Sequence, residues 1–319
     1  MRLLVLGGTS FIGRHIVEAA LAADHDVTVF NRGRTNPDLF PDADRRAGDR
    51  AHGDYASLGQ GRWDATVDVS AYVPRAVEQF LTSVGDRSGH YVQVSSVAAY
   101  DVDRATPDED APIWSAPGPD TEEITAQTYG PLKAACEHEA GRLLPNGFAV
   151  VRPTFVAGPW DNTDRFTWWA RRMGQGGRIP FAWPDTPLQI VDVRDLAILL
   201  LACAADGAIG SFDACGPSHP QREFLDLIAA PGVAYELVDV GGEALTRKDV
   251  TLPLFTGHPS AAVMRNRPAP RARSLGLSPR SVQQTAEATR VWDAGQGMPG
   301  LAAGPSPEQE QQLLDASAG

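Results

Sequence analysis

Cysteine is scarce: Cys136, Cys203 and Cys215 are the only three in 319 residues, widely spaced and with no C-x-x-C pair. That argues against a disulfide framework and against paired-thiol zinc or redox motifs, and it points to a reducing, cytoplasmic setting. An excess of basic residues is also lacking. The formal net charge is −12, so the chain has none of the cationic stripe that a phosphate-tracking protein shows, and no nucleic-acid partner is expected. Long apolar runs are missing too. The longest, LAILLLACAA at 196–205, is far short of the roughly 20 residues of a membrane span, so no membrane partner is expected. The opening RLLVLGG carries neither a basic leader region nor a small-residue cleavage site, and no secretory signal is expected. Seven histidines show no ligand spacing, so no metal is expected.

What is present alternates. RLLVLG, DVTVFN, DATVDVS, HYVQVSS and FAVVRP are short apolar runs with strand character. Between them FIGRHIVEAALAA, PRAVEQFLTSV and a segment over about 129–143 carry apolar residues at helical spacing. Strands alternating with helices mean βαβ units and a parallel sheet. After Pro153 the pattern loosens into Gly/Pro-rich stretches, a helix over 195–205 and the strand GSFDAC. The expected fold is α/β, a Rossmann-type doubly wound parallel sheet with a smaller C-terminal lobe. Residues 1–155 and about 187–217 would form the sheet domain. Residues from about 156 to 186 and from 218 to 319 would form the lobe and tail.

The first loop, LVLGGTSFIGRHIV, joins a strand to a helix and has glycines at 7 and 13 but none at 10. In such a turn Gly7 permits the tight bend and Gly13 lets the helix pack on the strand, while backbone N–H groups at the helix start face a pyrophosphate. Ser10 is small and can donate its hydroxyl to phosphate. The turn residues Thr9, Ser10, Phe11 and Ile12 complete the candidate phosphate loop. The second strand ends in Asn31-Arg32-Gly33-Arg34, with no carboxylate where a ribose 2′-hydroxyl would be gripped. Arg32 offers a planar donor fork and Arg14 is a second cation, so NADP is expected over NAD.

Further on, VSSVAAY ends a strand and TYGPLKAACEHEA opens a helix. Tyr129 and Lys133, at i and i+4, share one helix face. An ammonium beside a phenol favours the phenolate and brings proton exchange toward neutral pH. A serine on the preceding strand end can hold a substrate oxygen.

With GGTSFIGR, FNRG, AGDR, YVPRAV, TYGPLK, RPTFVAGPWD and VDVRDLA, the chain resembles the extended and atypical short-chain dehydrogenase/reductases, the epimerase/dehydratase superfamily. Within it these motifs resemble those of bacterial proteins related to chloroplast stem-loop-binding proteins and of isoflavone-reductase-like reductases. The resemblance covers roughly residues 1–217, and in that branch a residue other than glycine at position 10 is ordinary. It implies that Ser96 orients substrate, that Tyr129 is the general acid/base, and that Lys133 binds the nicotinamide ribose. It further implies that Asp49 meets the adenine, that Ser70 and Ala71 line the cofactor, and that Pro153 and Thr154 face the carboxamide. It allows a monomer or a homodimer.

Other segments are open to two readings. Trp160, Trp168 and Trp169 either stack on a flat substrate or fill the lobe's core. Arg171 and Arg172 could grip a pyrophosphate. Glu137, His138 and Glu139 read as a solvated helix face, Asp192 or Asp195 as a helix cap, and Cys203 as core. The acidic stretch 101–123 could form a lid. Three functions follow: an NADP(H)-dependent oxidoreductase acting on a small carbonyl or alcohol, a nucleotide-sugar epimerase or dehydratase using bound NAD(P), and, least favoured by the charge, a nucleic-acid-binding protein.

Overall fold

Buried aliphatic runs make the strands: in β1, Leu3, Leu4, Val5 and Leu6 are all buried, the pattern of a strand covered on both faces. The computed structural model describes residues 1–115, 121–258 and 260–316. Its first elements are β1 (Arg2–Leu6), α1 (Phe11–Ala22), β2 (Asp26–Asn31), β3 (Asp44–Ala47), β4 (Ala65–Asp68), α2 (Pro74–Val84), β5 (His90–Val94), α3 (Tyr129–Leu143) and β6 (Ala149–Pro153). Then come β7 (Phe155–Ala157), α4 (Arg165–Gln175), β8 (Gly177–Phe181), β9 (Pro187–Asp192), α5 (Val193–Asp206), β10 (Gly210–Ala214), β11 (Ser218–Pro220) and α6 (Gln221–Ile228). The last are β12 (Tyr235–Asp239), α7 (Gly241–Lys248), α8 (Ala261–Met264), α9 (Pro270–Ser274), α10 (Val282–Gly295) and α11 (Pro307–Ala316).

These elements form two units. The first takes Met1–Thr154, Val193–Ala214 and Pro268–Ser278. Its seven strands pair in the order β10-β6-β5-β4-β1-β2-β3, every pair parallel. This is the expected α/β, doubly wound sheet. The strand order reverses at β1 and β4, and in such sheets a crevice opens there, beyond the strands' carboxyl ends. One cluster of its core stacks Phe30 on Tyr55 and Phe80 on Tyr91, with Tyr55 and Phe80 meeting edge-on.

The second unit takes Phe155–Asp192, Cys215–Arg267 and the chain from Pro279. It has a three-stranded sheet, β11-β9-β7, and a two-stranded parallel pair, β12 and β8. Helix α4 lays Phe166, Trp169, Ala170 and Met173 into its core. Helix α11 packs on α7 and β8.

Two boundaries differ from the sequence expectation. Pro187–Asp192 pairs as β9 with β7 and β11, inside the second unit, because its backbone partners lie there. Pro268–Ser278 joins the first unit, where α9 packs on β10. The lid reading of 101–123 falls partly on 116–120, which lie outside the described residues. Around that gap the stretch is tied to the first unit, by Trp114 Nε1 donating to the Ala98 carbonyl and by an Arg75–Glu122 ion pair. No helix among the described residues is long and apolar enough to cross a membrane.

Candidate active site

A cavity of about 360 Å³ lies in the first unit, where β1 to β4 end. Gly7, Thr9 and Ser10 line it from the turn after β1, and Asn31 to Thr35 from the end of β2. Gly48 to Ala51, after β3, and Ser70 and Tyr72, after β4, complete it. Gly7 has φ of +95°, a conformation that side chains resist. A Cβ on Gly13 would stand 2.0 Å from the Gly7 carbonyl oxygen, so α1 can start this close to β1 only with glycine there. Ser10 is the N-cap residue of α1. Phe11, Ile12, Gly13 and Arg14 build the turn and helix without lining the cavity.

The end of β2 is locked to that turn. Asn31 Nδ2 donates to Thr9 Oγ1 at 3.2 Å, its Oδ1 accepts from the Gly33 N–H, and Asn36 donates to the Thr9 carbonyl. Arg32 and Arg34 are exposed and line the cavity. Arg14 instead donates to Glu18 at 2.7 Å, one turn along its own helix. Asp49 accepts from the Ala51 N–H, which, with His52 and Arg32 nearby, holds its carboxyl below the ordinary range.

Arg50, which sequence reasoning passed over, fixes the cavity wall. Its Nη1 donates to Asp68 Oδ1 at 2.7 Å and to Ser70 Oγ at 2.8 Å. Asp68 is fully buried and also accepts from Tyr91 Oη and the Ser70 N–H. Burial pushes this carboxyl up most strongly of any one influence, but Arg50, Tyr91 and the Ser70 N–H together hold it below its ordinary value. An ion pair of this kind has no periodic signature; it becomes visible only once β4 is seen to end beside the loop after β3.

The serine, tyrosine and lysine come from two neighbouring segments. Ser96 caps a 3₁₀ turn over Val97–Ala99, its Oγ accepting from the Ala98 N–H at 3.1 Å. Gly130 seats the start of α3 on that turn: a Cβ there would meet the Ala98 carbonyl at 2.3 Å. Tyr129 is the first residue of α3 and half-buried. Lys133, one turn further, is buried; its Nζ donates to the carbonyls of Ala71 at 2.9 Å and Val94 at 2.8 Å and stands 4.6 Å from the Tyr72 ring centre. Tyr72 therefore both lines the cavity and touches Lys133, a double position that the sequence did not signal. Pro153 ends β6 and Thr154 follows it; the Thr154 N–H donates to the Ala214 carbonyl, and its buried Oγ1 has no partner among the described residues.

Other expectations are redirected. Trp169 is fully buried, stacks on Phe255 at 4.5 Å and donates to the Pro253 carbonyl, and Trp168 packs edge-on against it. Both fill the second unit's core, so neither presents a face for a substrate. Trp160 is half-buried against Trp292. Arg171 is bound by Asp293 at 2.6 Å and Arg172 by Glu310 at 2.7 Å, which occupies the proposed pyrophosphate grip. Glu137 does not lie on a solvated face: it is buried and paired with Arg152 at 2.6 Å, because its side of α3 packs on the sheet.

Residues 3–73 match the NAD dependent epimerase/dehydratase family. A curated relative, the chloroplast stem-loop binding protein of 41 kDa b of Arabidopsis thaliana, is 25% identical over 221 residues, 63% of this chain. That match spans 54% of the relative, about half its length. Among solved structures, a UDP-glucuronic acid 4-epimerase from Bacillus cereus with NAD superposes with a TM-score of 0.68 at 14% identity, covering 94% of this chain and 99% of that one. Yeast methylglyoxal/isovaleraldehyde reductase with NADPH gives 0.65 at 16% identity, covering 94% and 100%. Residues 3–73 thus resemble the NAD dependent epimerase/dehydratase family, and the fold resembles that of these solved structures.

Proposed function

We propose that this protein is an NADP(H)-dependent oxidoreductase acting on the carbonyl or alcohol of a small molecule. The observation that carries the reading is the end of β2, where Asn31 is engaged with Thr9 and two exposed arginines, Arg32 and Arg34, line the cavity. The residues present suit a dinucleotide in three respects. The Gly7–Gly13 approach leaves a cradle that any side chain would fill. Arg50, with its buried Nε lacking an acceptor, lines the cavity. Thr154 keeps an unpartnered hydroxyl at the end of β6. Gly7, Thr9 and Ser10 would hold the pyrophosphate, Arg32 a 2′-phosphate, Asp49 the adenine and Thr154 the carboxamide.

When bound, the nicotinamide supplies or accepts hydride. Ser96 would orient the reacting oxygen, and Tyr129 would give its phenolic proton to that oxygen in reduction or take it back in oxidation. Lys133 lends positive charge one turn from Tyr129 and would reach the ribose. For the rival nucleotide-sugar reading, Arg171 and Arg172 offer no free pyrophosphate grip, since each is paired with a carboxylate.

The test is NADPH-dependent turnover over ketones, quinones and nucleotide sugars, followed by Tyr129→Phe on the substrate found. A positioned general acid is worth roughly 10²–10⁴-fold, so kcat should fall by about that factor while NADPH affinity holds. A variant keeping more than about a tenth of wild-type kcat, well short of that factor, removes Tyr129 from the role.

A further inference from the structure

The second unit has its own cavity, of about 510 Å³, to which the hydride-transfer reading assigns nothing. Val250, Leu252, Leu254 and Phe255, all buried, give it an apolar wall. Three charged side chains line it: Arg165 and Asp249, both exposed, and Arg265, half-buried. Arg165 Nε donates to Thr163 Oγ1 at 3.1 Å.

Arg265 stands out among the arginines of this unit. Arg171 and Arg172 each hold a carboxylate. Among the described residues no acceptor lies within hydrogen-bond reach of the Arg265 guanidinium, and its Nη1 is sealed from solvent. Its contact is with a ring instead: Cζ stands 4.8 Å from the Phe155 centroid, with Arg165 Cζ 5.4 Å from the same centroid. Burial without compensation lowers this guanidinium to about 10. Folding a cation away from water with only a ring for company is unfavourable unless an anion arrives.

We infer that this cavity binds an organic carboxylate, with Arg265 taking the carboxylate and the apolar wall and Phe155 taking a hydrocarbon or aromatic body. The charge balance selects one negative charge, since two cations face one anion. A guanidinium fork matches a carboxylate in two parallel hydrogen bonds. The apolar wall suits a hydrocarbon body and does not suit a hydrated polyanion. The assignment is independent of the proposed hydride transfer and is tested by binding alone.

The experiment is calorimetric titration of the full chain with benzoate and 4-phenylbutyrate. Benzyl alcohol serves as the neutral control and phenyl phosphate as the dianionic one. A charge-assisted contact implies roughly tenfold to hundredfold discrimination. Both carboxylates should therefore bind at least about tenfold tighter than the alcohol and tighter than the phosphate. Arg265→Met should lose that margin, and Arg265→Lys should keep part of it. The melting temperature of unliganded Arg265→Met should stay level or rise, which separates lost binding from lost folding. NADPH titration of the same variant should be unchanged. The inference is overturned if no carboxylate binds at millimolar concentration, or if the alcohol or phosphate binds as well. Undiminished carboxylate binding by Arg265→Met, or a lowered melting temperature in that variant, overturns it too.

Discussion

Arg50 in the first unit and Arg265 in the second both leave water as the chain folds, and their surroundings differ in one respect. Arg50 meets Asp68, and although burial works to lower it, the carboxylate raises its pKa above the ordinary value. Arg265 meets the Phe155 ring, and burial lowers it. The first arrangement has its counter-charge in the protein: Arg50, Asp68, Ser70 and Tyr91 fix one another, and only the Arg50 Nε is left without an acceptor among the described residues. The second has no counter-charge among the described residues. A paired buried cation therefore reads as architecture, and an unpaired one beside a cavity reads as a place for a ligand.

The sharpest way to break this contrast is to unpair the first cation. Asp68→Asn leaves Arg50 buried without its counter-charge, and removing one partner of a buried pair costs about 3–5 kcal/mol. Urea denaturation should show a loss of that size. A loss under about 1 kcal/mol would mean that the Arg50–Asp68 pair does not hold the wall. Next in size is Gly13→Ala, whose Cβ would press on the Gly7 carbonyl. Overpacking of this kind costs about 1–3 kcal/mol, and NADPH binding should fall with it. Unchanged NADPH affinity would separate the turn from the cofactor. The smallest effect is expected for Arg265→Met in the unliganded protein, level or slightly stabilised in the same denaturation series.

The sheet was legible in the sequence because its strands are buried on both faces and bounded by Gly, Asn and Pro. Runs such as RLLVL and the helix FIGRHIVEAALA needed no tertiary information. β3 was not legible: Asp44, Arg45, Arg46 and Ala47 are all exposed, and only pairing with β2 makes them a strand. Much of the second unit was missed because its strands are three to six residues long and its first sheet mixes parallel and antiparallel pairs. Trp169 could have been read correctly, since Phe166, Trp169, Ala170 and Met173 fall at i, i+3, i+4 and i+7, the stripe of a core-facing helix. In the candidate site, Gly7, Gly13, Tyr129 and Lys133 were readable because local turn geometry and helix spacing dictate them. Arg50, Tyr72 and Glu137 were not, because their partners come from other strands and carry no fixed spacing.

The central claim is that the first unit's cavity takes NADP(H), with arginine in place of a carboxylate beyond β2. Dissociation constants of NADPH and NADH for the purified protein test it most directly. One charge-assisted phosphate contact is worth about 1.5–3 kcal/mol, so NADPH should bind roughly tenfold to hundredfold tighter than NADH. Equal affinities, or a preference for NADH, would contradict the account.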